Sequence, residues 1–266
     1  MRELLSLAVD TAREAGALVA QRRAEAAVEV SATKSSPTDV VTASDTAAER
    51  LIRERLRNAR ADDGFLGEEG GGARGHSGVR WVVDPIDGTV NYLYGIPAYA
   101  VSIAAEVDGE PAVGVVHNPV LGETWSAIAG EGAWLQDAPV RVGSRTDPAQ
   151  ALVATGFSYD VRTRAEQGRQ VAALLPRVRD IRRMGAASLD LCAVATGRVD
   201  AYVEQGLQPW DLAAGGLVAR EAGARVGGLG DAEAGERLVV AANPGLWDRL
   251  QELLQQAGFG AGSDER

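Results

Sequence analysis

Trp81-Val82-Val83-Asp84-Pro85-Ile86-Asp87-Gly88-Thr89 runs a short apolar stretch straight into a turn that holds two carboxylates. Trp81 to Val83 is rich in strand formers and reads as a buried strand that ends at Asp84. Pro85 keeps Asp84 extended and sets up a tight turn. Such a turn can bring both carboxylates and the carbonyl of Ile86 to one point in space. Gly88 lets the backbone approach a neighbour closely, and Thr89 places a hydroxyl beside a predicted helix start. Hard oxygen donors of this kind suit Mg²⁺, which takes roughly six oxygens at about 2.0–2.1 Å. A helix N-terminus beside them offers free N–H groups to a phosphate. The same residues also read as a surface turn with two capping aspartates, and the turn alone leaves both readings open.

Upstream, Leu4 to about Ala24 predicts an amphipathic helix with Leu5, Val9, Ala12, Gly16, Val19 and Ala20 on one face. Ser31 to Asp39, with Lys34 and Pro37, reads as loop, and about Asp45 to Arg57 as a second helix. The apolar piece Gly64 to Gly67 leads into Glu68 and Glu69, then into Gly70, Gly71 and Gly72, the most flexible-looking stretch before the tail. Downstream, Ala98 to Val107, Ala112 to Val116, Glu123 to Ile128 and Gly132 to Leu135 read as strands of an antiparallel meander, with turns at Asp108-Gly109 and Leu121-Gly122. After about Val140 the rhythm changes. Strands at 152–154, 198–203, 224–226 and 238–241 alternate with helices at about 164–175, 186–196, 211–222 and 246–257. The segment 258–266 reads as a disordered tail.

The 266 residues are 45% apolar and 24% charged, which is ordinary globular composition and long enough for a large core. A net charge of −10 argues against nucleic acid or anionic membrane as a general partner. It also sits badly with an anionic substrate, unless clustered carboxylates hold divalent cations that invert the local charge. No apolar run is long enough to span a membrane, and Met1 to Leu7 shows no secretory pattern. Cys192 is the single cysteine, so neither an internal disulfide nor a Cys-based zinc site is available, and it reads as a small core residue. These features predict a cytoplasmic protein. His76 reads as a loop residue; with His117 it completes the histidine count.

Three further acidic positions carry two readings each. Glu68-Glu69 is an exposed acidic loop or a ligand pair. Asp211 after Trp210 is a helix cap or a ligand, and Asp45 is a cap or a site residue. What joins them is a named pattern. Gly67-Glu68-Glu69, Trp81 to Asn91 and Trp210-Asp211-Leu212-Ala213-Ala214-Gly215 resemble the inositol monophosphatase signatures, in the family's order. Lys34-Ser35-Ser36 with Asp39 to Asp45 is similar to the family's N-terminal motif, and Gly185 to Cys192 to a segment of its bacterial members. The resemblance covers about residues 1–257.

That resemblance implies an α+β fold, a layered αβαβα sandwich of the sugar-phosphatase type. It implies one domain over 1–257, with an α+β half to about 140 and an α/β half from about 141 completing the site. It implies Mg²⁺, two or three ions per site, held by Glu68, Asp84, Asp87, Asp211 and the carbonyl of Ile86. Thr89 with Glu68 would orient and deprotonate the attacking water, supported by Asp45, while Lys34 lies in a loop that closes toward a third metal. Asp87, Gly88, Thr89 and Asp211 would border the substrate. Gly185, Ala186 and Ala187 would line the sugar pocket, and Glu204 would bind inositol hydroxyls; a solvated strand end is its other reading. Tyr92 stands where the family usually has Phe, and Ala186 where Ser or Thr is frequent. The implied activity is hydrolysis of myo-inositol 1-phosphate by a lithium-sensitive homodimer. Histidinol phosphate, fructose 1,6-bisphosphate or a 3′-phosphorylated nucleotide are alternatives within the same chemistry. A non-catalytic regulatory binding protein is the alternative outside it.

Overall fold

The computed structural model describes residues 1–25, 30–34 and 40–260. Ser35, Ser36, Pro37 and Asp39 of the N-terminal motif, and residues 261–266 of the expected tail, lie outside the described residues.

The first half opens with helix α1 (Arg2–Glu25), strands β1 (Val30–Thr33) and β2 (Val40–Thr42), and helix α2 (Ala43–Ala59). Thr42 caps α2, and Asp45 completes a capping box by accepting from the Thr42 backbone N–H. Next come β3 (Gly64–Gly67), β4 (Gly71–Ala73), β5 (Val79–Asp87), the short α3 (Thr89–Tyr94), and the strands β6 (Ala100–Val107), β7 (Glu110–Asn118), β8 (Glu123–Ile128), β9 (Gly132–Leu135) and β10 (Ala138–Pro139). They form one eight-stranded sheet in the order β10-β9-β8-β7-β6-β5-β3-β4, and β6 to β10 are the expected antiparallel meander.

The second half supplies β11 (Leu152–Thr155), α4 (Val161–Leu174), β12 (Asp180–Arg182), α5 (Ala187–Ala195), β13 (Ala201–Glu204), α6 (Pro209–Glu221), β14 (Arg225–Gly227), β15 (Val239–Ala242) and α7 (Pro244–Gln256). Its five strands order as β12-β11-β13-β15-β14, parallel across β12, β11 and β13 and antiparallel across β15.

Four buried clusters fill the spaces between five layers. α1 and α2 cover one face of the large sheet through Leu4, Ala8, Ala12, Ile52 and Leu56. α5 and α6 lie between the sheets, with Leu189, Cys192, Ala214 and Leu217 toward the large one and Leu191, Val194 and Ala219 toward the small one. α4 and α7 close the far face with Leu174, Leu246, Leu250 and Leu254. The sandwiched helices are built from small residues, so they sit close to the strands. A Cβ at Gly114 of β7 would lie 2.7 Å from the carbonyl oxygen of Ala214 on α6. This close approach brings the N-termini of α5 and α6 to the end of β5.

Four expectations shift. β5 does not end at Asp84 but continues to Asp87, with an irregularity in its pairing to β6 between those residues. The start of the expected loop, residues 31–33, belongs to β1, which pairs with β2 as an exposed ribbon. The glycine run is not free loop: Gly71 and Gly72 pair with β3, and Arg53 donates to the Gly71 carbonyl. The tail expected from residue 258 stays packed at its start, because Phe259 is buried against α7 and the small sheet.

Candidate active site

The site forms where β5 ends. Asp84 and Asp87 are both buried, at 2% and 6% exposure. Asp84 Oδ1 accepts from the Ile86 N–H at 2.9 Å, so the carboxylate holds its own turn. Gly88 follows at φ +91°, and a Cβ there would lie 2.9 Å from the Ala98 carbonyl oxygen. A left-handed conformation with no room for a side chain accounts for glycine at 88. Thr89 then opens α3, as the sequence predicts.

Asp87 reaches across to the second half. Its carboxylate accepts from the backbone N–H groups of Ala187 at 3.1 Å and Ser188 at 2.7 Å, and from the Ser188 hydroxyl. Ala186, at the cap position of α5, has no side chain to do this, so Asp87 caps the helix from another strand. Asp211, third residue of α6, accepts from the Gln208 N–H at 2.7 Å. One carboxylate oxygen from each of Asp84, Asp87 and Asp211 lies within 4.8 Å of the other two.

Glu68 follows β3, which runs parallel to β5 and so ends beside it. Its negative charge acts on Asp84 across the gap between the two strand ends. Lys34 Nζ lies 2.7 Å from Glu68 and 2.6 Å from Glu69, bridging the two. Behind them Glu49 accepts from the Glu69 N–H at 2.7 Å. Thr89 Oγ1 is 3.0 Å from the Ile86 carbonyl oxygen and 3.2 Å from Asp45 Oδ1.

Burial pushes the carboxyl of Asp84 far above its ordinary range, and the charges of Glu68, Asp87 and Asp211 add to the effect. Burial also raises Asp211, followed by the Asp87 charge. Asp87 rises by burial too, held back by its Ser188 and Ala187 donors and by Arg183. Asp45 is lifted to about 6 by burial, against its Thr42 hydrogen bonds. Carboxyls crowded in this way keep protons unless cations neutralise them. The donor set is all oxygen and negatively charged, which fits a hard divalent cation.

A cavity of about 640 Å³ opens over the cluster. It is lined by Lys34, Glu68, Asp84, Ile86, Asp87, Gly88, Thr89, Gly185, Ala187, Glu204 and Asp211, so one space collects nearly every expected site residue. Ala186 is the exception among the pocket residues: it is buried beneath the rim, against Gly88. Asp45 stands behind Thr89 and does not line the cavity. Glu204 is no solvated strand end. Tyr202 donates to it at 2.7 Å, and a Cβ at Gly156 would fall 2.0 Å from its carboxylate. Burial lifts Glu204 to about 7.

Three polar residues of the site escaped the sequence reading. Arg183 lines the cavity. Asn91 donates to the carbonyls of Ala98 and Met184, both at 2.7 Å, tying the two halves together. Asp190 is buried on α5 with no hydrogen-bond partner for either carboxylate oxygen among the described residues. The signal for Arg183 was the Arg182-Arg183 pair just ahead of Gly185. For Asp190, the only signal was a charged residue within an otherwise apolar helix pattern.

Similarity to characterised proteins agrees with this geometry. Inositol-1-monophosphatase SuhB of Mycobacterium tuberculosis is 48% identical over 280 aligned positions, covering 95% of this chain and 93% of the relative. Nus factor SuhB of Pasteurella multocida is 41% identical, covering 85% of each. The crystal structure of the extragenic suppressor protein suhB from Bartonella henselae superposes with a TM-score of 0.90 at 35% identity, covering 96% of this chain and 99% of that one. The fold is therefore the α+β sandwich of these proteins. The sequence profile of the inositol monophosphatase family, a family of phosphoric monoester hydrolases, matches residues 1–258, and the chain belongs to that family.

Proposed function

We propose that this protein is a Mg²⁺-dependent phosphatase that converts myo-inositol 1-phosphate to inositol and phosphate. The observation that carries the reading is the convergence of Asp84, Asp87 and Asp211 within 4.8 Å, in a cavity shared with Glu204. Glu68, the three aspartates and the carbonyl of Ile86 would hold the metal. Mg²⁺, when bound, supplies positive charge against the phosphate oxygens and the leaving alkoxide, and makes water a nucleophile at neutral pH.

The chain's own residues do the positioning. Thr89 donates its proton toward Asp45 or Ile86, which leaves its oxygen lone pairs to accept from the attacking water. Glu68 takes the water proton; burial raises its carboxyl, and Lys34 beside it opposes that rise and favours the charged form that can accept a proton. Gly185 and Ala187 leave room for a ring, and Glu204 accepts from its hydroxyls.

The relatives named Nus factor favour a second reading, a regulatory binding role. Binding alone gives no reason to bury several mutually repelling carboxyls, so catalysis is the primary reading. We propose a cytoplasmic homodimer, with a single domain through residue 257. Among the described residues no helix is long and apolar enough to cross a membrane. Tyr94 at the end of α3, Ile96 just after it, and Val120 and Leu121 between β7 and β8 are exposed apolar residues on segments joined by the Asn118–Pro97 hydrogen bond, and they offer a surface for a second copy. A hydrolysis panel with Mg²⁺ tests the substrate: myo-inositol 1-phosphate should give the highest kcat/KM among it, histidinol phosphate, fructose 1,6-bisphosphate and a 3′-phosphorylated nucleotide. A tenfold preference for any of the others overturns the choice.

A further inference from the structure

Arg183 has an unusual setting. It lines the cavity that holds the aspartate cluster and Glu204, although its side chain is exposed at the mouth. Its guanidinium rests over Gly185, where a Cβ would fall 2.2 Å from Nη1. Burial raises the carboxyls of Asp190 and Glu204, and the positive charge of Arg183 opposes that rise at both. Arg183 thus shares one cavity with Asp87 and Glu204. Even so, among the described residues it has neither a hydrogen bond nor an ion pair. A guanidinium that shares a cavity with carboxylates commonly closes a bidentate pair with one of them. Here Glu204 is held away, pressed on Gly156 and tied to Tyr202 through one oxygen.

We propose that Arg183 is a specificity-determining residue that, with Glu204, clamps two adjacent hydroxyls of the leaving group. A guanidinium only donates and a carboxylate only accepts, whereas a hydroxyl does both. One hydroxyl donates to Glu204 and its neighbour accepts from Arg183, which fills the gap between two side chains that do not meet. The substrate class is a neutral polyol phosphate. A second phosphate would find Arg183, but it would also enter a cavity lined by Glu204, Asp160 and Glu236. This inference rests on the phosphatase reading above and deepens it.

The test is steady-state kinetics of Arg183→Met and Arg183→Lys with myo-inositol 1-phosphate, fructose 1,6-bisphosphate and p-nitrophenyl phosphate. In Arg183→Met the ratio of kcat/KM for inositol phosphate to that for p-nitrophenyl phosphate should fall about tenfold or more, mainly through KM. Arg183→Lys should recover part of it, because a point charge replaces the fork. An unchanged ratio, or an equal loss on both esters, overturns the proposal. A larger loss on the bisphosphate than on inositol phosphate also overturns it, making Arg183 a reader of anions. The wild-type panel tests the parent reading separately. If the wild type prefers another polyol monophosphate, the ratio is read with that ester. If it prefers no hydroxyl-bearing ester, both readings fall.

Discussion

Replacing Glu204 by Gln should make the metal-free protein more stable and its catalysis less selective. Burial lifts the Glu204 carboxyl from 4.5 to about 7, against the pull of the Tyr202 hydroxyl and Arg183. As pH rises through that window, the unfolded chain gives up its proton before the folded one does. The native state then holds the extra proton, so stability falls from about pH 4.5 to about 7 and levels off above. The gap between 4.5 and about 7, at ~1.4 kcal/mol per pH unit, amounts to roughly 3 kcal/mol. Glutamine keeps an oxygen to accept from Tyr202 but has no charge to bury. Urea unfolding in EDTA should therefore find Glu204→Gln more stable than wild type by up to roughly 3 kcal/mol at pH 8, with the difference vanishing below about pH 4. The same variant should lose about ten- to a hundredfold in kcat/KM for inositol 1-phosphate relative to p-nitrophenyl phosphate. Greater stability with poorer function is the expected mark of a residue retained for its site. A stability difference that does not move with pH, or a variant less stable at pH 8, refutes the reasoning.

Asp84→Asn removes a buried carboxyl that burial and the charges of Glu68, Asp87 and Asp211 hold far above its ordinary range. Its unfolding midpoint in EDTA should not fall, while kcat/KM in excess Mg²⁺ should drop by about a hundredfold or more; near wild-type turnover removes Asp84 from the metal site. Chelation should stop wild-type activity and Mg²⁺ should restore it, and Mg²⁺ should raise the thermal midpoint of the wild type more than that of Asp84→Asn. Millimolar Ca²⁺ should inhibit, since its longer bonds suit the in-line geometry poorly, and Li⁺ should inhibit as the family resemblance implies. Full activity in excess EDTA ends the metal reading.

The elements readable in the sequence are those whose periodicity is local. β8 and β9 match their expected bounds, and the helices of both halves match theirs within a few residues, because each shows its own apolar pattern. The misreadings share a cause in contacts from elsewhere in the chain. Pro85 looks like a strand end, yet β5 passes it because the ladder to β6 is irregular there and resumes at Asp87 opposite Ala100. The glycines after Glu69 look free, but Glu49 and Arg53 of α2 pack against Gly70, and β3 pairs with Gly71. The aspartates were legible because motif spacing places them. Arg183 was not, because one arginine of the Arg182-Arg183 pair looks like any solvated residue until folding turns it over Gly185.

The same geometry explains how a chain of net charge −10 assembles so many acids at one point. Three of the buried acids are tied to helix N-termini. Asp45 is the third residue of α2 and Asp211 the third of α6, each completing a capping box. Asp87 caps α5 from outside, and Thr89 begins α3 directly after the β5 turn. Helix N-termini carry partial positive charge and unpaired N–H groups, each stabilising a nearby anion by about 0.3–1 kcal/mol at exposed sites and more where buried. Three such ends offset part of the repulsion without consuming a basic side chain, and among the described residues lining the cavity Lys34 is the one ammonium. The tie through Asp87 has a further consequence. Its carboxylate belongs to β5 and its donors to α5, so the cluster exists only when the two halves are packed. Packing of the second half onto the first therefore completes the acidic cluster, which is the physical reason the site sits at the seam.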